Sequence, residues 1–116
     1  MKIPREGWLL RVFVGESDRV DGRPVYEAIV LKARELKLAG ATVLHAVMGF
    51  GANSRMHSAR LLSLSEDLPV VVEIVDSREN LDLLLPYIEE VVQEGLVTLE
   101  RAEVIFYRSN KGDSAS

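Results

Sequence analysis

The stretch Pro69-Val70-Val71-Val72-Glu73-Ile74-Val75 decides the fold of this chain. A short run so rich in β-branched residues predicts a strand, which we place over Leu68 to Val75. Its apolar residues fall on both sides of the pleat, with Glu73 as the lone charge. The next residues, Asp76-Ser77-Arg78-Glu79, fit an N-terminal capping box with Asp76 as the cap. The strand is therefore predicted to lead directly into a helix.

Working outward from this strand, hydrophobic periodicity and glycine stops define three more strands and one more helix. The segment Ala52 to Asp67 has no clear period and is predicted to be a long functional or mobile loop. The resulting order, β-α-β-β-α-β, predicts an α+β, ferredoxin-like fold with two helices on one face of a four-stranded antiparallel sheet. The other predicted strands are Trp8 to Val14, Ala41 to Met48, and Leu96 to Tyr107, the last interrupted near Glu100-Arg101. The first helix is predicted to start at Pro24 and to stop at Gly40. The second is predicted to contain Leu81, Leu84, Pro86 and Ile88 and to stop at Gly95.

The second face of the predicted sheet is unusually apolar. Leu9 and Phe13 share that face of the first strand with Arg11, and Val71 and Val75 share it with Glu73. Two helices cover only the opposite face, so a monomer would expose a large apolar patch. We therefore expect other copies of the chain to cover the second face, and we expect Arg11 and Glu73 to form a cross-strand ion pair on it.

Length and composition narrow the classes of protein. The chain has 116 residues, of which 47% are hydrophobic, so one domain over residues 1–108 is expected, with residues 109–116 as a small polar, disordered tail. It contains no cysteine, which excludes disulfides, thiolate nucleophiles and cysteine-ligated zinc. Its net charge of −4 disfavours nucleic acid as a partner. With no apolar run long enough for a membrane span and no secretory signal, a cytoplasmic location is expected.

The sequence offers little for catalysis, so we do not expect an enzyme. Ser63 and Ser65 lack a positioned base, and no Walker loop or HExxH motif is present. His45 is expected to be packed and hydrogen-bonded, whereas His57 is either solvated or a ligand. Two histidines without shared spacing are a weak metal signal, so no metal site is predicted.

Several motifs together resemble those of a known family. Gly40-Ala41-Thr42-Val43, followed by Met48-Gly49-Phe50-Gly51, resembles the PII nitrogen-regulatory signalling proteins. With Met56-His57 and Leu64-Ser65-Glu66-Asp67-Leu68-Pro69 added, the set is more similar to their PII-like relatives in the domain-of-unknown-function 190 family. The resemblance implies a cytoplasmic homotrimer with inward-facing sheets and an adenine nucleotide in each cleft between subunits. It also implies signalling through the loop 52–67 to a regulated protein, for which a membrane channel or transporter is one candidate.

The resemblance also implies which residues bind the nucleotide: Thr42, Gly49, Phe50, Gly51 and Arg108. A second phosphate-binding arginine of PII proteins falls on Phe106, and the arginine after the Gly-Phe-Gly run falls on Ala52, so both cations are lost here. Each loss removes a charge-assisted phosphate contact, which favours AMP or ADP over ATP. Whether Arg55, His57 and Arg60 compensate stays open at this point.

Alternatives stay open as well. Gly49 and Gly51 would also suit a plain bend at the end of a strand. Arg108 would also suit a solvent-exposed position at a strand end, without a ligand. A ligand-free structural adaptor trimer is the main alternative function. A small acylphosphatase-like hydrolase on the same fold is another, but Glu16-Ser17-Asp18 is acidic where such an enzyme binds anions.

Overall fold

A computed structural model of the chain describes residues 5–50, 57–58 and 68–108. It contains two helices and a four-stranded sheet, together with two short strand pairs. The elements are β1 (Glu6–Gly15), β2 (Arg19–Val20), β3 (Arg23–Pro24), α1 (Val25–Glu35), β4 (Thr42–His45), β5 (Met48–Gly49), β6 (His57–Ser58), β7 (Pro69–Asp76), α2 (Arg78–Val91) and β8 (Leu96–Glu103).

The main sheet has the strand order β4-β7-β1-β8, and every neighbouring pair is antiparallel. Strands β1 and β7 lie in the middle, which explains why their sequences are the most continuously apolar. The predicted α+β, ferredoxin-like fold is confirmed. Two strand predictions need correction, because the second strand ends at His45 and the fourth runs without interruption to Glu103 and stops there.

The core lies between the sheet and the two helices. Alternate residues of β1 and β7 point into it and are almost completely buried, as are the inward positions of both helices. The largest fully buried apolar side chains are Leu10, Val12, Ile29, Val70, Val72, Ile74, Leu81, Leu84 and Ile88.

The second sheet face carries the predicted ion pair. Arg11 and Glu73 are opposite each other in the register, and Arg11 Nε donates to Glu73 Oε2 at 2.9 Å. Arg11 Nη1 also donates to Glu100 at 3.1 Å. The hydrogen bond to Glu73, followed by the charge of Glu100, raises the pKa of the Arg11 guanidinium above its usual value. The pair therefore fixes the register at the centre of this face, in a polar row that also contains Thr42, opposite Glu73, and Thr98, opposite Arg11.

An apolar row crosses this second face from one edge of the sheet to the other. Leu44 is opposite Val71, which is opposite Phe13, which is opposite Leu96. Leu44 and Leu96 are exposed, and Val71 and Phe13 are only partly buried. The row therefore keeps exposed apolar surface within the described chain, most of all at its two ends.

The ends of both helices differ from prediction, and α2 ends at Val91 rather than at Gly95. Helix α1 ends at Glu35 rather than near Gly40, because Lys37 adopts a left-handed conformation (φ 64°) and the amide of Leu38 donates back to Ala33. Helix α2 is capped by Ser77, whose hydroxyl accepts from the amide of Asn80 at 3.1 Å, and not by Asp76. Neither Gly40 nor Asp76 therefore has the helix-terminating or helix-capping role that was predicted for it.

Gly95 provides a test of the packing. A Cβ at this position would collide with the backbone carbonyl oxygen of Phe13, which cannot move without disturbing β1. Gly95→Ala is expected to destabilise the fold by about 1–3 kcal/mol, measured by thermal denaturation. Gly40→Ala is the matched control: its Cβ meets nothing within 4 Å, so its stability should not fall. Equal effects of the two substitutions would contradict this packing.

Candidate functional site

A cleft of about 340 Å³ lies on the second face of the sheet, at the end where Thr42 begins β4. One wall is the turn between α1 and β4, the floor is the end of β7, and the other wall is the segment that follows β8. A volume of this order suits a small organic ligand. The lining residues are Ala39, Gly40, Ala41, Thr42, Glu73, Val75, Val104, Phe106 and Tyr107.

The segment after β8 creates this cleft. It was predicted to continue the strand to Tyr107, but it leaves the sheet after Glu103, where the amide of Val104 donates to the carbonyl of Arg5. It then reaches the turn between α1 and β4, where the hydroxyl of Tyr107 donates a hydrogen bond to the carbonyl of Ala39 at 2.9 Å. No local sequence pattern signals this crossing, because it depends on a contact between residues 68 positions apart.

Asp76 holds in place the wall of the cleft that is formed by the turn between α1 and β4. Its side chain is fully buried, and its carboxylate accepts hydrogen bonds from the Ala39 amide (2.8 Å), the Ser77 amide (2.7 Å) and Asn80 Nδ2 (3.0 Å). Ala39 is thus held at its amide by Asp76 and at its carbonyl by Tyr107. The turn that leads to Thr42 is fixed from both sides.

The structure places one predicted binding residue, Thr42, in this cleft. Thr42 pairs with Glu73 across the sheet and has an exposed side chain. Arg108 lies immediately beside the cleft: its guanidinium carbon is 4.0 Å from the ring centroid of Phe106, a lining residue.

Gly49 and Phe50 lie at the other end of the sheet. A Cβ at Gly49 would be 3.0 Å from Cγ of Pro69, so packing against that ring already favours glycine there. Phe50 is 70% exposed. Pro69 and Val75 are at opposite ends of β7, roughly 20 Å apart at the rise of an extended strand. The predicted site residues therefore form two separate groups within one chain.

Some predicted features lie outside the described residues. These are Gly51, Arg55, Arg60, most of the loop 52–67 and the tail 109–116; of His57 only the backbone, paired in β6, is described.

His45 is not packed as predicted. Its side chain is 48% exposed, lies 3.7 Å from the Glu16 carboxylate and meets the Tyr26 ring edge-on. Within residues 5–50 and 68–108, no group of three or more histidine or acidic residues is arranged to hold a metal ion. No helix in the described part of the chain is long and apolar enough to cross a membrane.

The family of the chain is established by comparison with known sequences. Residues 7–104 match the model of the family DUF190, described as "Uncharacterized ACR, COG1993". The chain is 40% identical over 98 residues to a UPF0166 protein of Aquifex aeolicus, which covers 84% of this chain and 92% of that protein. It is 30% identical over 97 residues to a UPF0166 protein of Methanocaldococcus jannaschii, with 83% and 89% covered. The chain belongs to the DUF190 family, as its motifs predicted.

A solved structure supports the relation to PII at the level of the fold. The chain is similar to CPII, a nitrogen regulatory PII-like protein from Thiomonas intermedia K12, with a TM-score of 0.59 at 16% identity. The similarity covers 85% of this chain and 88% of CPII, whose structure was determined bound to ADP, AMP and bicarbonate. The fold of this chain is therefore PII-like.

Proposed function

We propose that this protein is a PII-like regulator that binds an adenine nucleotide in clefts between the subunits of a homotrimer. The observation that carries the proposal is the separation of the predicted site into two groups. Thr42 and Arg108 lie at one end of the sheet, and Gly49 and Phe50 lie at the other. A second copy of the chain is the simplest way to bring the two groups together.

The second face of the sheet supports the same assembly. Its apolar row keeps exposed surface in the described chain, and the cleft lies on this same face. Copies that pack through this face would bury the row and place the cleft at the subunit boundary. The adenine nucleotides bound by CPII support this class of ligand.

The charge of the cleft favours a nucleotide with few phosphates. Glu73 is its only ionisable carboxylate, and none of the residues that line it in the described chain is a lysine or arginine. Arg108, just outside the cleft, is a cation that can meet a phosphate there. AMP or ADP is therefore proposed in preference to ATP.

The proposed signal passes through the segment 52–67, which joins Gly51 to β7. If the nucleotide prefers one arrangement of this segment, binding shifts its equilibrium and changes the affinity for a partner protein. The same linkage predicts that the partner changes the affinity for the nucleotide.

The hydrolase alternative gains no support from the loop after β1. The Gly15 amide donates to the Asp18 carboxylate at 2.9 Å, and the Glu16 amide donates to the Leu68 carbonyl at 2.9 Å. These amides are occupied within the fold, so we do not propose that the loop cradles a phosphate. The alternative of a ligand-free adaptor trimer is distinguished from the regulator by whether the protein binds a nucleotide.

Isothermal titration of the purified protein with AMP, ADP and ATP tests the proposal. We expect binding of AMP or ADP, and Arg108→Ala should weaken it about tenfold to a hundredfold, because a hydrogen bond to a charged group is lost. Arg34→Ala, at an exposed position of α1, is the matched control and should leave binding unchanged. Absence of binding by all three nucleotides at millimolar concentration would favour the adaptor instead.

A further inference from the structure

We propose that Phe106 is the platform on which the base of the nucleotide stacks. This inference rests on the proposed function and adds the orientation of the ligand: ring inside the cleft, phosphate outside at Arg108. At the sequence level, Phe106 was notable only because a phosphate-binding arginine was missing there.

The position of the Phe106 ring is unusual for an aromatic side chain. It lines the cleft yet remains 65% exposed, so the domain itself does not bury it. Arg108 meets the ring at 4.0 Å but is not among the residues that line the cleft. The ring thus offers aromatic surface to the cleft while a cation rests against it from outside.

The neighbouring lining residues suit the edge of a heteroaromatic base. The turn Ala39–Ala41 brings backbone polar groups to the cleft, and Thr42 brings a hydroxyl that can donate or accept. Glu73 brings a carboxylate that is paired with Arg11 through one oxygen and can accept a further hydrogen bond from an exocyclic amine. An aromatic face beside such donors and acceptors is the arrangement by which proteins hold unpaired bases.

The platform is also held in place before any ligand arrives. Tyr107, the next residue, is tied to Ala39 at 2.9 Å, and Ala39 is tied to the buried carboxylate of Asp76 at 2.8 Å. The two walls of the cleft are therefore joined to each other. A preorganised platform binds more tightly, because less conformational entropy is lost on binding.

The ligand class that follows is a nucleoside with one or two phosphates. Its base contributes most of the affinity by stacking, and its phosphate contributes through Arg108. Adenosine should therefore bind more weakly than AMP but measurably, whereas ribose 5-phosphate, which has the phosphate without the base, should not bind.

The test is a titration of adenosine, AMP and ribose 5-phosphate into the purified protein and four variants. Phe106→Ala should weaken adenosine and AMP alike by about 5- to 150-fold, the range found when a stacking aromatic is removed. Phe106→Tyr keeps the ring and should restore binding. Ile105→Ala truncates the neighbouring exposed side chain, which does not line the cleft, and should change nothing. Arg108→Ala should weaken AMP but not adenosine.

The outcomes separate the platform from the proposed function. If the unaltered protein binds AMP and Phe106→Ala binds it equally well, the platform is refuted and nucleotide binding stands. Binding of ribose 5-phosphate as tightly as AMP would refute it too, as would loss of the assembled state by Phe106→Ala in size-exclusion chromatography, which would assign the ring to subunit packing. If the unaltered protein binds neither adenosine nor AMP, the proposed function fails and the platform fails with it.

Discussion

Replacing Asp76 with alanine is expected to destabilise the domain by about 3–4 kcal/mol. The carboxylate is fully buried and accepts three hydrogen bonds, from the Ala39 amide, the Ser77 amide and Asn80. Without it these donors are left without their partner, and each buried unsatisfied group costs about 1–3 kcal/mol. Urea denaturation followed by circular dichroism measures the loss.

Asp82→Ala is the control for this prediction. Asp82 is an exposed carboxylate on α2 that pairs with Arg78 at 3.0 Å. An exposed ion pair of this kind contributes about 0.3–0.5 kcal/mol, so this variant should remain close to the unaltered protein. A loss below 1 kcal/mol for Asp76→Ala would contradict the role of Asp76 as the anchor of the turn.

Replacing Phe13 with glutamate is expected to convert the proposed trimer of about 39 kDa, three times the chain mass of 12.9 kDa, into a folded monomer. Phe13 lies between Val71 and Leu96 in the apolar row of the second face. In the proposed assembly this row is buried, and a carboxylate without a partner cannot be buried there at acceptable cost. Light scattering coupled to size-exclusion chromatography measures the mass, and circular dichroism checks the fold.

Leu31→Glu is the matched control for the assembly. Leu31 is also an exposed apolar residue (40%), but it lies on α1, on the opposite side of the domain. Its substitution should leave the trimer intact. A monomeric unaltered protein, or a Phe13→Glu variant that still forms a trimer, would refute assembly through the second face.

The order of elements and the register of the central strands could be predicted because they depend on local patterns. Continuous β-branched runs identify buried strands, and the order of elements makes β1 and β7 neighbours. Arg11 and Glu73, two isolated charges at equivalent mid-strand positions, could then be predicted to pair across them. Element ends were less predictable. Gly40 looked like a helix stop, but Lys37 supplied the left-handed residue three positions earlier, and no local pattern separates these two possibilities.

The cleft itself could not be predicted, because contacts between distant parts of the chain form it. Asp76 fits a helix cap by its spacing, and only the folded structure shows its carboxylate on the amide of Ala39. Tyr107 fits the end of a strand, and only the folded structure shows its hydroxyl on the carbonyl of Ala39. Thr42 was named through a family resemblance, and among the described residues of that set it is the one that lines the cleft.

The most direct test of the central claim is a comparison of AMP binding by the unaltered protein and by the Phe13→Glu variant. Phe13 does not line the cleft, so a cleft complete within one chain would bind AMP equally well in both. We predict one AMP per subunit for the unaltered protein in isothermal titration and at least a hundredfold weaker binding for the folded variant. Equal affinities in the two proteins, or no binding by the unaltered protein, would contradict a nucleotide site shared between subunits.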